Sequence, residues 1–353
     1  MPLLEVKDLH VSFPTPDGLV KAVGGLSFSV ERGKTLGIVG ESGSGKSVST
    51  QTIMGLTQGA RVTGEALFEG RDLLTMGKHQ LRQIRGTKIS MIFQDPLSSL
   101  HPYYRVGWQI VEMIRAHDKS MSKSAARARA ISLLQMVGIP RPDKRVDEFP
   151  HQFSGGMRQR AMIAMAMALN PMLIIADEPT TALDVTVQAQ VLDVLKRLQE
   201  EFGTAVIMIT HDLGVIADMA DDVVVMYAGR AMEKADRYEL FYRHHHPYTE
   251  GLLASLPTYG GERQRLTPIH GTPPSLIMLP SGCPFHPRCP YVFDRCVTET
   301  PPLREVFGGA HVSACWLSTD EQERRADQAR LAAESEEAAP PPLTEAEVGG
   351  SNR

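Results

Sequence analysis

The chain has 353 residues, 42% of them hydrophobic, and a formal net charge of −4; it is long for one domain, and the absence of a strong basic stripe argues against a nucleic-acid partner. No apolar run approaches the roughly 18 residues of a membrane span, and the start, Met-Pro-Leu-Leu-Glu-Val-Lys, lacks the pattern of a signal peptide. The four cysteines all lie between positions 283 and 315, too few and too localised for a secreted disulfide scaffold, so a cytosolic chain is expected, with any membrane association made through a partner.

Residues 3–13 read as a strand ending at Phe13, before a Pro/Asp/Gly turn from Pro14 to Gly18. Leu26, Phe28 and Val30 alternate with Ser27 and Ser29, the period of a half-buried strand. Thr35–Val39 is a buried strand, and Val48–Leu56 has apolar residues at helical spacing. Amphipathic helices are expected at Trp108–Ala116 and Ala125–Val137, with a long helix after Gly156. Strands return at Met172–Ala176 and Ala205–Ile209, separated by a helix over Val187–Phe202. This alternation predicts a doubly wound parallel sheet beside a small β-rich layer. From Asp236 prolines, histidines and cysteines accumulate; residues 318–353 read as an acidic, disordered tail.

Between the strand Thr35–Val39 and its helix stands Gly40-Glu-Ser-Gly-Ser-Gly-Lys-Ser47, the strand–loop–helix setting that a phosphate loop requires. Gly40, Gly43 and Gly45 let successive N–H groups, with Ser42 and Ser44 among them, face one concavity at the positive end of a helix. Lys46 can reach the β- and γ-phosphates and Ser47 can give a hydroxyl to Mg²⁺. Leu173-Ile-Ile-Ala-Asp-Glu178 ends an apolar strand in two carboxylates. Asp177 is placed to hold Mg²⁺, and Glu178 to act as general base on the attacking water.

Phe153-Ser-Gly-Gly-Met-Arg-Gln-Arg160 opens an Ala/Met-rich helix. Ser154 can cap it while Gly155 and Gly156 expose N–H groups, a second anion site at a helix end. Two such ends in one chain predict a dimer with each ATP between the loop of one subunit and the Ser-Gly-Gly of the other. Met162, Met165 and Met167 behind it read as core. His211, in Ile-Thr-His-Asp after a core strand, is expected to contact the γ-phosphate.

The order of phosphate loop, Gln94 in F-Q-D-P, S-G-G-M-R-Q-R, L-I-I-A-D-E-P, T-A-L-D and I-T-H-D over residues 3–260 resembles an ABC-transporter ATPase subunit. The resemblance implies an α/β fold: an ABC-type nucleotide-binding domain over residues 1–235 with a RecA-like parallel-sheet core, a β-rich subdomain and a helical subdomain at about residues 97–170. It implies that Phe13 stacks on adenine, that Gln94 touches Mg²⁺ and relays to the membrane partner, that Asp184 lies across the dimer, and that His211 is the switch histidine. Phe153 and Met157 depart from the commonest L-S-G-G-Q signature.

That departure, H-P-Y-T at His246–Thr249 with L-L-A-S-L-P after it, and G-C-P-F-H-P-R-C-P together resemble the dipeptide/oligopeptide/nickel permease ATPases. His101 stands where that family usually has Asn. A C-terminal extension over residues 236–317 is then expected, folding separately, so that ATP binding is independent of it. The spacing of Cys283, Cys289, Cys296 and Cys315 lacks the paired knuckles of zinc ribbons and suits an iron–sulfur cluster; zinc and free or disulfide-forming thiols remain alternatives. The resemblance associates the pattern with a [4Fe–4S] cluster. His286 reads as an exposed loop histidine and His244–His246 as a solvated turn.

The implied protein is a peripheral ATPase on the cytoplasmic face of the membrane, powering a peptide-type importer. Its implied partners are a second, paralogous ATPase subunit, two transmembrane permease subunits and, indirectly, an extracytoplasmic solute-binding protein. Nickel, glutathione or another small solute is the alternative cargo. The rival readings are a soluble ABC ATPase acting outside transport, which usually carries a coiled-coil insertion or two cassettes, and a metal-sensing protein built on the cysteines, which leaves the ATPase motifs unexplained.

Overall fold

The computed structural model describes residues 2–95, 99–181, 183–255, 268–307 and 309–321. Three apolar runs set the frame: β3 (Thr35–Val39), β7 (Leu173–Asp177) and β8 (Ala205–Thr210), in which every residue is buried. Strands covered on both faces are continuous rather than alternating in pattern, as a parallel sheet with helices on both sides demands. With β6 (Ile89–Ile92) and β9 (Asp222–Tyr227) they form the parallel part of an eight-stranded sheet, in the order β9-β3-β8-β7-β6. In β8, Thr210 pairs with Val39 of β3 and Ile209 with Asp177 of β7. The carboxyl ends of the three central strands are therefore level.

The β-rich layer is a four-stranded antiparallel sheet, β2-β1-β4-β5, built from Leu4–Thr15 (β1), Gly18–Val30 (β2), Arg61–Phe68 (β4) and Arg71–Asp72 (β5). The first two match the two expected early strands; β4, β5, β6 and β9 carry weaker patterns and were not expected. The helices Val106–His117, Lys123–Met136 and Gly155–Ala166 pack together as a helical layer. Met162 and Met167 are buried in it, and Met165 partly so, in agreement with a packing role.

Contacts join residues 1–315 into one compact unit, in which the extension packs with the core. Its strand β12 (Val312–Ser313) adds to β10 (Arg230–Asp236), which continues the central sheet antiparallel to β9. Residues 316–353 form a second unit, of which 316–321 are described; the expected disorder beyond residue 321 lies outside the described residues.

A buried carboxylate fastens the extension. Glu233 of β10 is fully buried and accepts the backbone N–H groups of His245 and, at 3.0 Å, His246, while His311 Nε2 lies 2.7 Å away. Burial disfavours its charge, but hydrogen bonds from His311 and the two amides help to outweigh this and hold its pKa below the ordinary value. The expected solvated turn at His244–His246 is thus corrected: His245 and His246 are buried because their amides serve Glu233. His246 also caps the helix Pro247–Ala254, its Nδ1 accepting the Tyr248 N–H at 3.0 Å.

Burial, reinforced by neighbouring His245, pushes the His246 pKa down from 6.5 to about 4, with Glu233 opposing. Between these values the unfolded chain binds more protons, so stability is present above pH 6.5 and is lost as pH falls toward 4. The loss reaches about 2 kcal/mol by pH 5. His246→Asn keeps an acceptor for Tyr248 but does not titrate. In urea unfolding, wild type should lose about 2 kcal/mol more than this variant between pH 7 and pH 5; identical pH dependence would contradict the assignment.

Candidate nucleotide site

The loop Gly40–Ser47 leaves the carboxyl end of β3 and enters the helix Lys46–Ile53. At Gly45 the backbone is left-handed (φ 96°), and a Cβ would stand 2.3 Å from the Ala22 carbonyl oxygen of β2, so only glycine fits. Gly229, after β9, donates its N–H to the Ser44 carbonyl at 3.0 Å, holding the loop from the other side. Lys46 is buried with its ammonium folded onto the loop: Nζ donates to the carbonyls of Gly40 (2.7 Å) and Glu41 (2.9 Å) and lies 3.4 Å from Ser44 Oγ. Burial lowers its pKa, while Glu178, Asp177 and Glu41 pull the other way.

Two groups of sequence-predicted residues meet at this edge. Ser47 Oγ donates to Asp177 Oδ1 at 2.7 Å. Burial raises the Asp177 pKa, with this hydrogen bond opposing. A hydroxyl and a carboxylate side by side are hard oxygen donors that fit Mg²⁺, which is bound through few protein ligands. Glu178 follows with a left-handed backbone (φ 47°), uncommon for a non-glycine residue and concentrated at functional sites. Its N–H donates to the Ile209 carbonyl at 2.9 Å. Glu178 Oε2 accepts from Gln94 Nε2 at 3.0 Å and from Thr181 Oγ1 at 2.8 Å, and His211 Nδ1 lies 3.5 Å from Oε1. Thr181 is a partner that sequence reasoning missed; its place in P-T-T-A-L-D, three residues after Glu178, was the available signal.

Other predicted residues stand elsewhere in the fold. Ser154 caps the helix Gly155–Ala166, accepting the Met157 N–H at 3.3 Å, and Asp184 caps Val185–Phe202, accepting that of Val187 at 3.0 Å. The two helix ends are neighbours: a Cβ on Gly156 would lie 2.4 Å from Val187 Cγ1, and one on Gly155 would lie 3.8 Å from Leu183 Cδ2. Each cap uses its side-chain oxygen within its own helix. Phe13 lies half-buried in β1, paired with Val20 of β2.

Cys283, Cys296 and Cys315 are buried and Cys289 half-buried. Burial pushes the Cys283 thiol up to about 11, with Cys289 and Cys296 acting in the same direction. Among the described residues no three His, Cys, Asp or Glu side chains gather closely enough to hold a metal ion. As placed, the four do not fit a cubane or a zinc site. His286 is half-buried rather than exposed, its Nδ1 2.9 Å from the Cys283 carbonyl oxygen. The extension also reaches the phosphate loop: Arg288 pairs with Glu41 and Tyr248 with the Glu41 amide. Nothing local in either stretch signalled this contact between the extension and the loop.

A phosphate loop, a Ser–Asp pair beside it and a Glu–Gln–His cluster at the level ends of parallel strands define an ATP-binding cassette ATPase. Residues 23–181 match the family model of the ABC transporters, and residues 232–296 match that of the oligopeptide/dipeptide transporter C-terminal region. The chain is 52% identical over 320 residues to the oligopeptide transport ATP-binding protein OppD of Escherichia coli, spanning 90% of this chain and 94% of that protein. To the dipeptide transport ATP-binding protein DppD of Bacillus subtilis it is 49% identical over 338 residues, covering 95% and 99%. Among solved structures it resembles the dimeric ATP-binding cassette MJ0796 in a post-hydrolysis state with ADP and Pi (TM-score 0.60, 28% identity, 66% of this chain and 98% of that one). The chain belongs to the ATP-binding subunits of the oligopeptide/dipeptide ABC transporters.

Gly45→Ala should abolish the loop's geometry, since the methyl must displace either Ala22 or the loop itself. ATP binding, followed by fluorescent-nucleotide titration, should weaken by about tenfold or more, and unchanged affinity would refute the crowding at this position.

Proposed function

We propose that this chain hydrolyses ATP to drive an importer of oligopeptides or dipeptides, working from the cytoplasmic face of the membrane. The observation that carries the chemistry is the Glu178 carboxylate, held by Gln94, Thr181 and His211 one residue from the Ser47–Asp177 pair. The loop amides and Lys46 bind the phosphates of ATP. Ser47 and Asp177, with Gln94 near, hold Mg²⁺, which when bound neutralises charge on the β- and γ-phosphate oxygens. Glu178 accepts a proton from the attacking water, and His211 faces the γ-phosphate. Phe13 stacks on adenine.

Ser154, Gly155, Gly156 and Asp184 serve the ATP of a second ATPase subunit, a paralogue. Supporting this is the second helix N-terminus in the same chain, a ready anion site that one mononucleotide does not need. Two transmembrane permease subunits are the membrane partners, fed by an extracytoplasmic solute-binding protein. Among the described residues no helix is long and apolar enough to cross a membrane. An apolar cavity of about 260 Å³ is lined by Leu56, Phe93, Met113 and Met165, Phe93 being the residue before Gln94 in the chain. Leu56 and Phe93 are exposed there, which supports it as the seat of a permease segment. The peptide cargo is supported by the similarity to oligopeptide and dipeptide transport proteins over nine-tenths of the chain.

Glu178→Gln keeps the hydrogen-bonding shape of the side chain and removes the base. It should retain ATP affinity and lose turnover by about 10²–10⁴-fold, accumulating as an ATP-bound dimer in gel filtration. Hydrolysis at the wild-type rate would overturn the assignment.

The iron–sulfur reading of the cysteines rests on their spacing in the sequence and is opposed by the lack of a ligand-distance group among the described residues. Iron and sulfide analysis of anaerobically purified chain decides it. About four of each per chain is expected for a cluster, one zinc would favour the zinc alternative, and metal-free protein would leave packing thiols.

A further inference from the structure

Glu41, the second residue of the phosphate loop, has each of its polar groups engaged, and two of its four partners, Arg288 and Tyr248, come from the C-terminal extension, the others being Lys46 and the Ser44 amide. Its carboxylate faces Arg288, whose side chain is only 4% exposed. Arg288 Nη1 donates to Oε2 at 2.6 Å and Nη2 to Oε1 at 3.0 Å, the two-pronged geometry that fixes a carboxylate in both position and plane. The same guanidinium donates to the Ile269 and His270 carbonyls and to the Tyr227 hydroxyl. Burial alone would lower the Arg288 pKa, but the hydrogen bonds to Glu41 and Tyr227 outweigh it and hold it above the ordinary value.

The amide of Glu41 donates to the Tyr248 hydroxyl at 2.9 Å, and Tyr248 is fully buried. Tyr227, Tyr248 and Phe285 pack ring against ring around these contacts, with centroids 4.7 to 5.3 Å apart. The third group, the Glu41 carbonyl, accepts from Lys46 Nζ. A continuous chain of polar contacts thus runs from the Cys283–Cys289 loop through Arg288 and Glu41 to the lysine of the phosphate loop.

We propose that Arg288 and Tyr248 are positioning residues of the ATP site, holding Glu41 and through it Lys46, so that the C-terminal extension sets the affinity of the loop for the phosphates. Neither side chain touches nucleotide. The loop is held in place before ATP arrives, and the ordering that binding would otherwise require is already complete. A buried, fully hydrogen-bonded arginine is not needed merely to attach the extension, which Glu233 and β12 already fasten to the central sheet.

The inference rests on the reading of Gly40–Ser47 as the ATP loop, and the experiment separates the two. Binding of a fluorescent ATP analogue with Mg²⁺, steady-state hydrolysis and thermal melting are measured on the full chain and its variants. Arg288→Met should weaken nucleotide binding about tenfold or more, raising KM while kcat at saturating ATP changes by less than about threefold. Arg288→Lys keeps the charge but not the fork and should fall between. In Glu41→Gln, adding Arg288→Met should cost little further affinity, because both act through one contact. Additive losses, or wild-type affinity in Arg288→Met, would overturn the proposal. So would an equal loss of affinity in Leu240→Ala, a core truncation in the helix Arg237–Tyr242, at a matched fall in Tm. Lys46→Ala that still binds ATP would sink the loop reading itself; a Lys46→Ala that fails to bind, beside a silent Arg288 series, would sink the positioning role alone.

Discussion

The register of β3, β8 and β7 is the constraint on which the chemistry depends. Because Val39 pairs with Thr210 and Asp177 with Ile209, the residues that follow each strand emerge along one edge. Gly40, Glu178 and His211 owe their proximity to that alignment. A slip of one residue in any of the three strands would turn each side chain to the other face and separate the Ser47–Asp177 pair from the Glu178 cluster. The strands are buried on both faces and apolar except at their ends, where Thr35, Asp177 and Thr210 stand, so a slip would also carry the polar ends into the apolar layers.

The edge also concentrates charge, and the structure distributes it. Lys46 is buried and bonded to two loop carbonyls, so its charge is satisfied without a direct salt bridge to Asp177 or Glu178. Asp177 leans on a neutral hydroxyl and Glu178 on an amide and a second hydroxyl. Each carboxylate is oriented by hydrogen bonds rather than by an ion pair with Lys46.

The C-terminal extension is fastened in two places by the same physics. Glu233 and Glu41 are carboxylates out of bulk water, one fully and one partly, and each is compensated by groups from the extension: backbone amides and His311 for Glu233, Arg288 and Tyr248 around Glu41. An uncompensated buried charge is costly, so both contacts require the extension to be folded against the core. One lies at the edge of the sheet and the other in the phosphate loop, which is why residues 1–315 behave as a single compact unit.

Much of this was legible in the chain itself. The phosphate loop, the Asp177–Glu178 strand end and the Ser154 helix cap depend on backbone conformation and hydrogen bonds within a few residues, and local chemistry specifies them. The long helices followed their apolar period to within two or three residues at most ends. The weaker strands β4, β6 and β9 and the burial of His245 and His246 did not follow from any local pattern. Glu41 and Arg288 lie 247 positions apart, and in isolation each reads as a solvated surface charge. Only the packing of Tyr227, Tyr248 and Phe285 brings them together and removes the water between them, and no property of either stretch alone carries that information.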